Sequence, residues 1–299
     1  LRMVEEQAAG VREALGLLAD HGLRVLDARD WTADQRRFLQ AHFTKEILPA
    51  LTPLAVEEIG PRLRLPGLQW YVAAVLASSE AEERIVVMPV PHPFSRWVQI
   101  PSDAGVSLAR LDDVIAANVA TVFPGSDVLA TVLFRITRDA DVLIGRDDND
   151  DMLEAVERAV LTRQRRPAVR LQISARPDRR IKEWLDHSLR LGPEEIYEIN
   201  TPLDAAALME IAGWPGFEQL KNNEWPAQRP RDLLDSDDLW ETLSDRDVLL
   251  FHPYESFEPV VRLVEQAADD PQVLAIKQTL YRTSGDSPIV RALGRAAQN

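Results

Sequence analysis

Val273-Leu-Ala-Ile-Lys-Gln-Thr-Leu-Tyr-Arg-Thr-Ser-Gly-Asp-Ser-Pro288 decides how the end of this chain is read. Val273 to Tyr281 reads as a strand, Thr283, Ser284, Gly285 and Ser287 form a turn of small residues, and Ser287 with Pro288 caps and opens a helix from Ile289 to Ala297. The same order precedes it. Asp247 to Phe251 reads as a strand, and Phe257 to Ala268 as a helix with Val260, Val261, Val264 and Ala268 on one face. The order βαβα implies a parallel sheet, whose ligands bind beyond the carboxyl ends of the strands. His252 stands at one such end; Lys277 and Arg282 place two cations on the second strand and at its exit. Backbone N–H groups in the turn and the positive end of the following helix would make an anion site there. The same residues read equally well as a plain strand-to-helix turn whose hydroxyls serve as caps. Two strands are not a whole sheet, and the chain stops where a third is due, so it reads as a fragment, as does its start at Leu1 without methionine.

Upstream, Trp214 to Arg231 carries four prolines or glycines and little periodicity, the pattern of a linker. Before it lies an α+β stretch. Strands are expected at Leu68 to Leu76, Arg84 to Val90, Arg96 to Ile100, Val128 to Thr137 and Val169 to Ser174. Helices are expected at Leu108 to Val122, Asp151 to Arg163, Pro177 to Leu191 and after a Thr201-Pro202 cap. At the start, Val4 to Leu18 is a helix stopped by Gly22, and Ala33 to Leu48 a second one, capped by Thr32 with Gln35 three residues on. Their short linker makes them antiparallel, and they carry too few apolar positions for a core of their own. The chain thus divides into a helical N-terminal remnant (1–50), an α+β domain (51–228) and the beginning of an α/β domain (229–299).

Composition narrows the function classes. With 45% hydrophobic and 27% charged residues the chain is an ordinary globular one, and no apolar run is long enough to span a bilayer. Cysteine is absent, which removes disulfides, thiolate metal sites and thiol nucleophiles. A net charge of −14 opposes nucleic acid as a partner and requires any phosphate-rich substrate to find a local basic site. The densest basic stretch, Arg163, Arg165, Arg166, Arg170, Arg176, Arg179, Arg180 and Lys182, reads first as solvated surface and second as a wall facing a polyanion. No glycine-rich phosphate loop of the G-x-x-x-x-G-K-[ST] or G-x-G-x-x-G type occurs. Asp147, Asn149 and Asp151 mimic the start of a calcium loop, but Met152 and Arg158 stand where glycine and glutamate are required; these acids read as a helix N-terminus. His21, His42, His92, His187 and His252 show no metal-ligand spacing.

The two C-terminal runs, Asp247 to Phe257 and Val273 to Leu293, resemble the opening of the first catalytic domain of the histidine-phosphorylated polyphosphate kinases. Leu133-Phe-Arg-Ile-Thr-Arg-Asp-Ala-Asp141 resembles that family's head-domain signature, and Leu48-Pro-Ala-Leu-Thr-Pro-Leu-Ala-Val56 the entrance to it. The resemblance implies a helical N-terminal domain, an α+β head that contributes to dimer contacts, and phospholipase D-like α/β catalytic domains. It implies reversible transfer of the terminal phosphate of ATP to inorganic polyphosphate, with Mg2+, through a phosphohistidine, in a cytoplasmic and in some settings membrane-associated homo-oligomer, dimer or tetramer. Arg282 matches a family arginine of the magnesium and phosphate site; since a guanidinium has no free lone pair, it would grip phosphate oxygens that the metal also binds. Lys277 is the lesser candidate. The phosphorylated histidine is expected beyond Asn299, so no catalytic residue falls in this chain, and the chain alone is expected to lack kinase activity. Two other readings compete: a phospholipase D-like phosphodiesterase, and a non-catalytic module that binds polyphosphate or dimerises.

Overall fold

The computed structural model describes residues 2–56, 65–77, 83–92, 94–139, 166–199, 204–233, 238–280 and 286–298. They fall into two compact units, Leu1–Pro215 and Gly216–Asn299; the break lies inside the linker read from the sequence.

In the first unit, strand β3 (Trp70–Ala77) explains the layering. Successive side chains of a strand point to opposite faces. Trp70, Val72, Ala74 and Leu76 enter one core, with Leu39, Phe43 and Ile47 from helix α2 (Ala33–His42) and the helical turns that follow it; Tyr71, Ala73 and Val75 enter another. A strand that is apolar on both faces must be central, and β3 is. The large sheet has the order β2 (Leu54–Ala55), β4 (Glu83–Pro89), β3, β7 (Asp127–Arg138), β8 (Ala168–Ser174), β9 (Ile196–Ile199). Only the β8–β9 pair in it is parallel. Helix α5 (Arg179–Leu189) closes the second core with Ile181, Leu185 and Leu189 over Phe134, Ile136, Leu171 and Ile173.

A small sheet flanks the first core: β1 (Leu23–Leu26), β6 (Val106–Arg110) and β5 (Trp97–Ile100), in that order. Here the sequence reading is corrected. The connection between α1 (Arg2–Asp20) and α2 carries β1, which pairs in parallel with β6 some eighty residues on. The parallel pair starts where Gly22 (φ 89°) meets Gly105 (φ 69°), and Val106 N–H donates to the Gly22 carbonyl at 2.8 Å. A Cβ on Gly105 would run into that carbonyl, and its left-handed φ favours glycine independently. The helix expected from Leu108 starts only at Leu111, as α3 (Leu111–Ala117), followed by a turn of helix α4 (Val119–Val122). The helix expected at Asp151 to Arg163, the acidic cluster at its start and the Thr201-Pro202 cap lie outside the described residues; past the latter, α6 spans Leu208–Ala212.

The cap of α2 forms as its sequence requires. Thr32 Oγ1 accepts from Gln35 N–H at 3.2 Å, Gln35 Oε1 accepts from Thr32 N–H at 3.0 Å, and Gln35 Nε2 donates to the Pro101 carbonyl at 2.9 Å. Thr32→Ala is expected to lower stability by about 1 kcal/mol, read from the urea midpoint at unchanged slope; no change would mean that the Pro101 tie alone fixes this helix start.

The second unit holds α7 (Leu239–Asp245), α8 (Glu258–Asp269) and α9 (Pro288–Ala296). Helices α8 and α9 bury Val264, Ala268, Ile289 and Ala292 between them. The two expected strands are corrected: neither 247–251 nor 273–280 forms a ladder among the described residues. An apolar run becomes a strand only when a neighbour supplies N–H and C=O partners. Here Leu249 is 87%, Phe251 67% and Leu274 97% exposed.

Candidate functional site

In the second unit, Ile276 packs against the α8–α9 core while Lys277 beside it is exposed. Arg282 lies outside the described residues, with 281–285. The helix that follows is described: Ser287 caps α9 without a side-chain hydrogen bond, and Pro288 occupies its first turn. The first N–H groups of a helix have no intrahelical acceptor, so this end keeps donors open to an anion. Asp286, just before it, is paired with Arg291.

His252 sits in a turn tied from both ends. Glu255 Oε2 accepts from Phe251 N–H at 2.7 Å, the Phe251 carbonyl accepts from Glu255 N–H at 2.9 Å, and Phe251 stacks on Tyr254 at 5.4 Å. His252 Nδ1 lies 2.8 Å from the Glu255 carbonyl, which can only accept; Nδ1 therefore carries the proton, and Nε2 is the free ring nitrogen.

The first unit holds a polar row that the sequence reading did not single out. Trp70 is paired with Arg135 across β3 and β7, Arg135 with Gln172 across β7 and β8, and Gln172 with Tyr197 across β8 and β9. All four share one face of the sheet. In the sequence Arg135 belongs to the stretch that resembles the head-domain signature; the alternation Phe134, Arg135, Ile136 is the signal for its position, since two buried apolar neighbours put the arginine on the opposite face. The second arginine of that signature, Arg138, is structural: its Nε and Nη1 donate to the carbonyls of Leu65 and Arg166, each at 2.9 Å. Beside Arg135 opens a cleft of about 320 Å³, lined also by His92, Arg96, Asp204 and Glu210. Arg96 contacts Asp112 at 2.8 Å and Asp204 at 3.3 Å, and Glu210 accepts from Ser95 Oγ at 2.6 Å and Arg96 N–H at 3.2 Å.

Among the described residues no group of three or more histidine or carboxylate side chains is placed to hold a metal ion, and Lys277 is itself a cation. No helix among them is long and apolar enough to cross a membrane.

Comparison with known proteins agrees with this architecture. The family model described as "Polyphosphate kinase middle domain" matches residues 34–211, and that of "Polyphosphate kinase C-terminal domain 1" matches residues 238–299. A polyphosphate kinase of Halalkalibacterium halodurans is 35% identical over 289 residues, which cover 95% of this chain and 41% of that protein. One of Rhodopirellula baltica is 42% identical over 233 residues, 75% of this chain and 27% of that protein. The crystal structure of polyphosphate kinase from Porphyromonas gingivalis matches 99% of this chain and 45% of its own with a TM-score of 0.66; at 24% identity this speaks for the mixed α/β fold. The chain spans less than half the length of these relatives. With the middle-domain model alone covering more than half of its residues, the chain belongs to the polyphosphate kinase family.

Proposed function

We propose that this chain is part of an enzyme that moves the terminal phosphate of ATP onto inorganic polyphosphate, reversibly, through a phosphohistidine outside these residues. The observation that carries the proposal is the ordered match of both family domains along one chain. A nucleophilic imidazole divides the transfer into two displacements, and cations stabilise the charge on the moving phosphoryl group. Lys277 and Arg282 are the cations offered here, the first exposed beside an anchored Ile276, the second in the segment before the open helix end of α9. Magnesium is assigned to the substrate, carried on phosphate oxygens, because arginine and lysine cannot ligate it. The second unit is read as the beginning of a phospholipase D-like catalytic domain, the first unit as a head domain that contributes to a homo-oligomer, dimer or tetramer, and the protein as cytoplasmic.

The test is radiolabelled ATP supplied, with magnesium and polyphosphate, to the protein as its source cell makes it. Label should appear in an acid-labile, base-stable protein adduct and then in polyphosphate. Hydrolysis of a phosphodiester without labelled polyphosphate would transfer the site to the phosphodiesterase reading, and polyphosphate binding with neither reaction would leave a binding module.

A further inference from the structure

Most cations of the basic stretch along β8 and α5 have carboxylate partners. Arg179 meets Glu183 at 2.6 Å, Arg180 meets Asp178 at 2.9 Å and Glu83 at 2.8 Å, and Lys182 meets Glu198 at 2.6 Å. Such exposed pairs describe a solvated surface.

Arg135 and Arg170 are different. Arg170 lies two residues before Gln172 on β8, hence on the same face, and joins the row Trp70, Arg135, Gln172, Tyr197 diagonally. The Arg135 guanidinium stands 5.2 Å over the Trp70 ring, and that of Arg170 stands 4.1 Å over the Tyr197 ring. The Nε atoms of both are buried and have no hydrogen-bond partner, and neither side chain has a carboxylate at ion-pair distance among the described residues. The acids nearby are engaged: Asp204 and Asp112 with Arg96, Glu210 with Ser95 and the Arg96 N–H. Burial pushes the Arg135 pKa down; Asp204 opposes this, while Arg170 and Arg96 push with it. Like charges are thus held together, half-buried, on a chain of net charge −14. Each guanidinium lies against an aromatic ring rather than a carboxylate, and the planar N–H fork of arginine matches an oxyanion. The cleft beside Arg135, about 320 Å³ and lined by Trp70 and Arg96 as well as Asp204 and Glu210, opens next to the row on the Arg135 side and is not lined by Arg170.

From this geometry we infer that Arg135 and Arg170, backed by Trp70 and Tyr197, form a phosphoanion site on the first unit that takes adjacent phosphoryl groups of a polyphosphate chain. The shared chemistry is that of any linear phosphoanion; the choice of polyphosphate rests on the kinase reading above.

The full chain is titrated calorimetrically with sodium tripolyphosphate, without nucleotide or metal, alongside the Arg135→Gln/Arg170→Gln variant, with circular dichroism verifying the fold. Each lost guanidinium is expected to weaken binding about tenfold, and the slope of log affinity against log salt should flatten. Arg135→Lys/Arg170→Lys should keep most of the salt slope and lose part of the affinity. Should the double variant not fold, Arg170→Gln, at a half-exposed position, carries the same test. Unchanged affinity in a folded variant overturns the inference. So does binding lost on Arg282→Ala but kept in Arg135→Gln/Arg170→Gln, an outcome that leaves the kinase proposal standing. Tripolyphosphate binding that depends on Arg135 and Arg170, in a protein that makes no polyphosphate from ATP, would keep the site and remove the kinase reading. A dimer that dissociates in the double variant while tripolyphosphate binding is unchanged would give the row to carboxylates of a second copy and sink the inference.

Discussion

Phe134→Ala is expected to lower the stability of the protein by about 3 to 5 kcal/mol, a large share of the roughly 5 to 15 kcal/mol that holds an ordinary domain together. Phe134 is fully buried at the centre of the second core. Its ring stacks on Tyr71 at 5.3 Å and meets the edge of Trp184 at 6.3 Å, so it joins the central strand β3 to helix α5 across β7. Tyr71 cannot readily follow a collapse of the space left behind, because its hydroxyl donates to the Pro66 carbonyl at 2.9 Å. Burial keeps that hydroxyl protonated by pushing its pKa up. A cavity therefore persists in the variant, and its cost adds to the lost transfer energy. Urea unfolding followed by tryptophan fluorescence measures it. Val169→Ala, at an exposed position near the start of neighbouring β8, is the control and should cost no more than about 0.5 kcal/mol. A loss under about 1.5 kcal/mol for Phe134→Ala would show that α5 settles onto the sheet, and that this core is not the rigid layer described above.

The elements legible from the sequence share one property: their signal is local. Thr32 and Gln35 state a capping box within four residues, and the structure forms it. Val128 to Thr137 alternates over enough residues to fix both the strand and its inward face. The elements that escaped depend on partners far along the chain. Leu23–Leu26 is four residues long and becomes a strand because β6 lies beside it. Leu108, Leu111, Ile115 and Val119 keep helical spacing throughout, yet Ser107, Leu108 and Ala109 are all buried, as a strand covered on both faces demands; short apolar runs do not distinguish the two periods. The converse error is 273–280, a segment read as a strand that has no ladder among the described residues. The Arg135 and Arg170 pair was illegible for the same reason as β1. Trp70 and Tyr197 stand 127 positions apart, and only the register of four strands brings them into one row.

Arg282→Ala is expected to lower ATP-dependent polyphosphate synthesis, by the protein as its source cell makes it, about 100-fold or more. The proposed role sets this size. A guanidinium that grips the oxygens of a phosphoryl group in transfer stabilises charge that grows toward the transition state, so its loss falls on kcat more than on KM. Arg282→Lys should recover only part of the rate, because an ammonium supplies the charge without the planar fork. Lys277 is exposed on a segment anchored by Ile276, where water screens its charge, and Lys277→Ala should cost only about tenfold. The ordering matters more than either figure. If Lys277→Ala proved the more harmful, the phosphate would lie along the 273–280 segment rather than at the open end of α9. If Arg282→Ala kept its activity within about threefold, Arg282 would have no part in gripping the phosphoryl group. Lys277 and the cations of the first unit, Arg135 and Arg170, would then be candidates for holding the polyanion.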